Sequence, residues 1–106
     1  MFYELRRYQT RPGRRDEWVR YMEDVIIPFQ VSKGMVITAS FVEDETEDGY
    51  VWIRRFEDEA QREQLYAETY GSDRWKDEIA PAVDELLIRE KIVVTRVVPT
   101  SKSVLR

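Results

Sequence analysis

Neither histidine nor cysteine occurs in this 106-residue chain, and asparagine is missing as well. Without histidine there is no imidazole for acid–base work near neutral pH, no Ser-His-Asp triad and no two-histidine iron site. Without cysteine there is no disulfide, no thiolate nucleophile and no sulfur-ligated metal. Without asparagine there is no N-glycosylation acceptor. No apolar run is long enough to cross a bilayer as a helix, and the opening Met1–Arg6 lacks the basic-then-apolar layout of a signal peptide. A cytoplasmic protein with no membrane association is expected. Lysine and arginine (17) are outnumbered by aspartate and glutamate (21), giving a net charge of −4. That balance speaks against nucleic acid, whose phosphates are met by a basic surface.

Hydrophobic residues make up 42% of the chain and aromatics 12%, enough for a single domain over residues 1–106 with one core. Glycine and proline are scarce, four of each, and they read as punctuation because neither continues a regular element easily. Residues 2–11 alternate aromatic and charged side chains, which predicts a strand. After Pro12-Gly13, a helix over about 14–27 presents Trp18, Tyr21, Met22, Val25, Ile26 and Phe29 on one face, and Pro28 is expected to end it. Strands follow at 35–43 and 50–56, joined through the acidic hairpin Glu43–Asp48 and Gly49. Asp58 and Gln61 stand in capping-box register for a helix over 59–70, with Gly71 as its C′ residue. Ser72 caps a short helix carrying Trp75 and Ile79; Pro81 is expected to interrupt it before Ala82–Ile88 resumes. A last strand spans 91–98 up to Pro99. The order is βαββαβ, an α+β ferredoxin-like plan with a four-stranded antiparallel sheet.

Both helical segments of that plan cover one sheet face and leave the other bare. The strands here are apolar on both faces: Tyr50, Trp52 and Phe56 alternate with Val51 and Ile53, while Ile92, Val94 and Val98 oppose Val93 and Val97. An uncovered apolar sheet is an association surface, so two copies packing sheet to sheet, a dimeric α/β barrel, are expected.

Tyr3-Glu4-Leu5-Arg6 followed by Arg11-Pro12-Gly13 and an aromatic helix resembles the opening of NIPSNAP-type domains. Trp52-x-Arg54-Arg55-Phe56-x-Asp58, Trp75 leading to Pro81, and Pro99-Thr100-x-x-Ser103 extend the resemblance over nearly the whole chain. It implies membership of the dimeric α/β-barrel superfamily, which includes cofactor-independent monooxygenases, isomerases and lactone-handling enzymes. It supplies no catalytic residue, and the histidine typical of the haem-binding branch is absent.

Charged side chains within strands are the most unusual feature. With the first strand between the third and fourth, Arg6, Arg54 and Arg96 are expected to share the inter-sheet face with Glu4, Tyr8 and Trp52. Guanidinium forks beside aromatic rings suit a carboxylate on a planar ligand; alternatively the same arginines pair with glutamates across a dimer or reach solvent at strand ends. The acidic hairpin lacks the ligand spacing of a calcium loop, so no metal is expected. Trp18, Trp75 and the tyrosines at helical spacing fit a core better than a ligand cage. The resulting expectation is a NIPSNAP-type binding or accessory homodimer without a cofactor, taking a small anionic or aromatic ligand. The alternatives are a cofactor-independent enzyme, using arginine for charge and tyrosine or glutamate for proton transfer, and a structural interaction module.

Overall fold

The computed structural model describes residues 1–106. Its elements are β1 (Phe2–Gln9), α1 (Arg15–Tyr21) running through a π-helical turn (Met22–Ile26) into α2 (Ile27–Ser32), β2 (Val36–Val42) and β3 (Gly49–Phe56). Then come α3 (Glu59–Tyr70), a second π-helical turn (Trp75–Ile79) leading into α4 (Ala80–Leu86), a 3-10 turn (Arg89–Lys91) and β4 (Val93–Val97). The sheet order is β2-β3-β1-β4 with every neighbouring pair antiparallel. This is the expected ferredoxin-like α+β arrangement, with the sheet open rather than closed on itself. No helix is long and apolar enough to cross a membrane.

Local chemistry sets most boundaries. Gly13 turns the chain at φ 74, a left-handed angle that suits a residue without a side chain. Asp58 Oδ1 accepts from the Gln61 N–H at 2.8 Å, and Gln61 Oε1 accepts from the Glu57 N–H at 2.7 Å. Ser72 Oγ accepts from the Trp75 N–H at 3.2 Å. Gly71 differs from expectation: its φ is −82, so no left-handed cap forms. Space is what excludes a side chain there, since a Cβ would lie 2.3 Å from the Ala67 carbonyl oxygen.

The prolines overturn the other expected boundaries. Pro28 does not end the first helix and Pro81 does not interrupt the later one; each lies near the start of an α-helical segment that continues from a π-helical turn. In those turns the Ile27 N–H bonds to the Met22 carbonyl and the Ala80 N–H to the Trp75 carbonyl, an i→i+5 pattern. A proline has no N–H and its ring crowds the carbonyl four residues back. The widened turn relieves that crowding where helical bonding is already rearranged, and the helix carries on.

The wider turn also changes which residues line up. At 3.6 residues per turn, positions four apart drift by about 40° per step around an ideal helix. Trp18, Met22, Ile26 and Gln30 are four apart, yet all are buried and face the same cavity. Trp75, Ile79, Val83 and Leu87 repeat the spacing around the second π turn, with Ile79 and Leu87 fully buried. Together the two stripes press on the centre of the sheet.

Register assigns the sheet faces. Glu4 lies opposite Arg54 and Arg6 opposite Trp52; Phe2, Glu4, Tyr8, Tyr50, Trp52, Arg54 and Phe56 are buried beneath the helices. The other face carries Leu5, Phe41, Val51, Ile53, Val93 and Val97. Phe41 (55% exposed) and Val93 (52%) are bare on it. Replacing Asp58 with alanine removes the α3 cap and is expected to cost about 1 kcal/mol, read as a lower urea midpoint with unchanged slope.

Candidate ligand-binding site

The stripes and the sheet leave a cavity of about 280 Å³ between them. Arg6 and Tyr8 of β1 and Trp52 of β3 form its floor. Trp18, Met22, Ile26 and Gln30 line it from the first helix; Trp75, Val83 and Leu87 line it from the second. Tyr70 at the end of α3, with Arg89 and Ile92 ahead of β4, completes the wall. The lining is mostly apolar with a few placed polar groups, the usual make-up of a small-molecule site.

Beside the cavity lies a buried ionic network centred on Arg54, whose side chain has 0% exposure. Its Nη1 donates to Gln30 Oε1 at 2.9 Å and to the Tyr70 hydroxyl at 2.6 Å. Its Nη2 donates to Glu4 Oε1 at 2.8 Å and to the Tyr66 hydroxyl at 2.6 Å. Its guanidinium also lies 4.9 Å from the Trp52 ring and 5.1 Å from the Tyr66 ring, a cation–π geometry. Glu4 is as deeply buried; Arg62 Nε reaches its Oε2 at 2.7 Å, and the Tyr66 hydroxyl lies 2.7 Å from Oε1.

Burial alone would push the Glu4 carboxyl up. Hydrogen bonds from Arg62 and Tyr66, with the Arg54 charge, outweigh it and hold the group down at about 2. Burial pushes Tyr66 up to about 12, reinforced by its bond to Glu4 and opposed by Arg54. Tyr8 is likewise raised by burial, against the nearby Arg6 charge.

Arg6 is placed differently. Its Nε donates to the Tyr8 hydroxyl at 2.8 Å and its Nη1 to the Tyr66 hydroxyl at 3.3 Å. It comes within 3.5 Å of Glu4 while keeping 16% exposure. Glu4 is already engaged by Arg54 and Arg62, so Arg6 is the cation left with only a share of a carboxylate. It stands at the cavity wall.

Of the residues expected to act together, Glu4, Arg6, Tyr8, Trp52 and Arg54 do cluster, but on the helix-covered face rather than the open inter-sheet face. Alternation groups them correctly; only the helices decide which side they take. Arg96 is not part of the cluster. Its side chain is 46% exposed, pairs with Glu59 at 2.8 Å and lies 4.0 Å over the Phe2 ring. Arg54 and Glu4 stand behind the cavity rather than lining it. Gln30, Arg62 and Arg89 have no place in the sequence reading, and Tyr66 and Tyr70 enter it only among the tyrosines at helical spacing. Arg62, Tyr66 and Tyr70 are four apart on α3, a spacing that marks one helical face, and Gln30 extends the Trp18 stripe.

The acidic hairpin has an internal cation. Arg15 Nη1 donates to the carbonyls of Glu43 (2.9 Å), Thr46 (2.7 Å) and Gly49 (3.2 Å), so the oxygens that converge there are spoken for by a guanidinium. No group of three or more acidic side chains is arranged to hold a metal ion.

Two outcomes follow from the network. The folded Glu4 value lies below its ordinary 4.5, so its stabilisation is complete above about pH 4.5 and is lost as pH falls toward 2. That stabilisation is about 3 kcal/mol. Glu4→Gln is expected to lower stability near neutrality, with the gap to wild type closing on acidification, as urea melts from pH 6 to 2.5 would show. Arg54→Met leaves the Glu4 charge buried without its main partner and is expected to cost about 3–5 kcal/mol, a far larger drop in melting temperature than Arg96→Met.

A NIPSNAP family model matches residues 3–103. Solved structures agree. A NIPSNAP family protein with unknown function from Agrobacterium tumefaciens superposes with a TM-score of 0.89 at 23% identity, covering 100% of this chain and 94% of that one. A second NIPSNAP family protein from the same organism gives 0.87 at 22% identity over 99% and 98%. An uncharacterized NIPSNAP-like domain protein from Burkholderia xenovorans gives 0.85 at 21% identity over 96% and 87%. At these identities the structures establish likeness of fold. No curated protein matches the chain. With the family model spanning nearly all of it and the fold shared end to end, the chain belongs to the NIPSNAP family.

Proposed function

We propose that this chain binds a small, largely aromatic molecule bearing a carboxylate or similar anionic group in the cavity beneath its helices, as a homodimer without a cofactor. The observation that carries this reading is Arg6, an incompletely paired guanidinium at the wall of an otherwise mostly apolar cavity of about 280 Å³. Desolvated cations of this kind favour anions strongly, and the surrounding rings supply apolar contact. The indole N–H groups of Trp18 and Trp52, both lining residues, have no hydrogen-bond acceptor within the chain. A buried donor left unpaired is costly, and because both nitrogens are closed off from the cavity the fold itself carries that cost.

Binding is favoured over proton-transfer catalysis because the cavity offers no poised base. Glu4 is held at about 2, saturated with donors, and lies outside the lining. A reaction here would have to run on anion stabilisation by Arg6 and proton donation by Tyr8. The cavity itself weighs against a purely structural module, whose interior would be filled.

Dimerisation is supported by the open sheet face, where Leu5, Phe41, Val51, Ile53, Val93 and Val97 present apolar side chains. A second copy offers the same face, and a two-fold pairing is self-complementary. Burying it removes apolar area from water at about 25 cal/mol per Å² before association costs.

Benzoate, phenylacetate and 2-naphthoate are expected to raise the melting temperature by mass action on the folded state, and Arg6→Met to abolish the rise. An equal response in Arg6→Met would remove the anion site from this cavity. Sedimentation at micromolar concentration should give twice the chain mass for wild type, and a monomer for Phe41→Glu or Val51→Glu. Wild type sedimenting as a monomer overturns the sheet-to-sheet dimer.

A further inference from the structure

The hydrogen-bond inventory of the cavity is one-sided. The Tyr8 hydroxyl accepts from Arg6 Nε at 2.8 Å, which leaves its own proton without an acceptor. The Tyr70 hydroxyl accepts from Arg54 Nη1 at 2.6 Å and from Gln30 Nε2 at 3.3 Å, so its proton is free as well. Gln30 brings an amide oxygen, yet Arg54 Nη1 occupies it at 2.9 Å. Arg6 uses Nε and Nη1 within the protein, leaving Nη2 to spare. Glu4, the nearby carboxylate, is consumed by Arg54, Arg62 and Tyr66.

A hydroxyl or amide lining a pocket normally offers both a donor and an acceptor. Here Arg6 and Arg54 take most of the accepting capacity of Tyr8, Tyr70 and Gln30, so more donors than acceptors are left unpaired. Such a wall matches carboxylate, ketone and other lone-pair oxygens. It opposes an ammonium group twice over, by supplying few free acceptors and by placing a guanidinium beside it. A ligand hydroxyl can accept one bond, but its own proton then lacks a partner. Sites built this way discriminate through the groups a wrong ligand leaves unpaired.

We infer that the cavity selects molecules whose polar atoms are all acceptors, an aromatic 2-oxo acid or similar keto-carboxylate, over the hydroxy and amino acids of the same skeleton. The inference rests on the binding reading above and adds its specificity. Arg6 takes the carboxylate, and the second acceptor falls to the unpaired protons of Tyr8 and Tyr70.

Calorimetric titration of wild-type protein with phenylglyoxylate, mandelate, phenylglycine and phenylacetate tests it, since the four differ only at the carbon beside the carboxylate. Phenylglyoxylate is expected to bind about tenfold or more tightly than phenylacetate, with mandelate weaker than the oxo acid and phenylglycine showing no heat. Tyr70→Phe and Tyr8→Phe, each checked for a wild-type circular dichroism spectrum, should bring the phenylglyoxylate-to-phenylacetate ratio toward one. That ratio is insensitive to a general loss of active protein. If mandelate or phenylglycine binds as tightly as phenylglyoxylate, or if both variants keep the wild-type ratio, acceptor selectivity is wrong while phenylacetate binding leaves the anion site standing. If none of the four binds, both readings fall together.

Discussion

A guanidinium with no contact with water organises this protein. Moving such a charge out of solvent is costly unless every donor is met and a counter-charge stands close. Arg54 meets most of the requirement: its Nη1 and Nη2 bond to partners from each layer of the fold, Glu4 on β1, Gln30 on α2, and Tyr66 and Tyr70 on α3, while its Nε is left without an acceptor. Each partner constrains an element. Glu4 opposite Arg54 pins the register of the two central strands; Gln30 draws the first helix down, and the two tyrosines seat α3. Slipping β1 by one residue would turn Glu4 to the open face and strand the buried cation.

The two prolines work at the next level. A straight α-helix would carry positions four apart steadily around its axis. Placing a π-helical turn ahead of Pro28 and again ahead of Pro81 keeps Trp18, Met22, Ile26 and Gln30, and in the second half Trp75, Ile79, Val83 and Leu87, turned toward the sheet. Both halves of the βαββαβ plan therefore meet the sheet with the same device. The residues it aligns are bulky enough to hold the helices off the sheet, and the cavity is the space between.

The sheet's two faces consequently do different things. The helix-covered face holds the charged and hydroxyl-bearing side chains, where low dielectric makes each pairing strong and each unpaired group costly. The open face has fewer such groups, with Tyr3, Arg7, Arg55 and Thr95 among its apolar residues. Polar recognition and apolar association are separated by the thickness of one sheet, so the binding site and the proposed dimer surface can vary independently.

Much of this was legible from the chain. Period-two alternation placed Glu4, Arg6, Tyr8, Trp52 and Arg54 on a common face, and turn chemistry around Pro12-Gly13, Asp58 and Ser72 marked element starts, because both depend on neighbours a few residues apart. Two kinds of feature were not legible. Pro28 reads as a helix stop and Pro81 as an interruption, since the energetic case for a π turn lies in the stripe it aligns against the sheet. The face taken by the charged cluster, and the exclusion of Arg96 from it, depend on where α3 docks: Glu59 and Phe2 hold Arg96 outside, while Tyr66 and Tyr70, from the same helix, close over Arg54. Backbone and short-range side-chain physics determined the elements and their order. Which charges became buried, which hydroxyls lost their acceptors and where space was left were decided by tertiary packing, because desolvation depends on what lies on every side of a group.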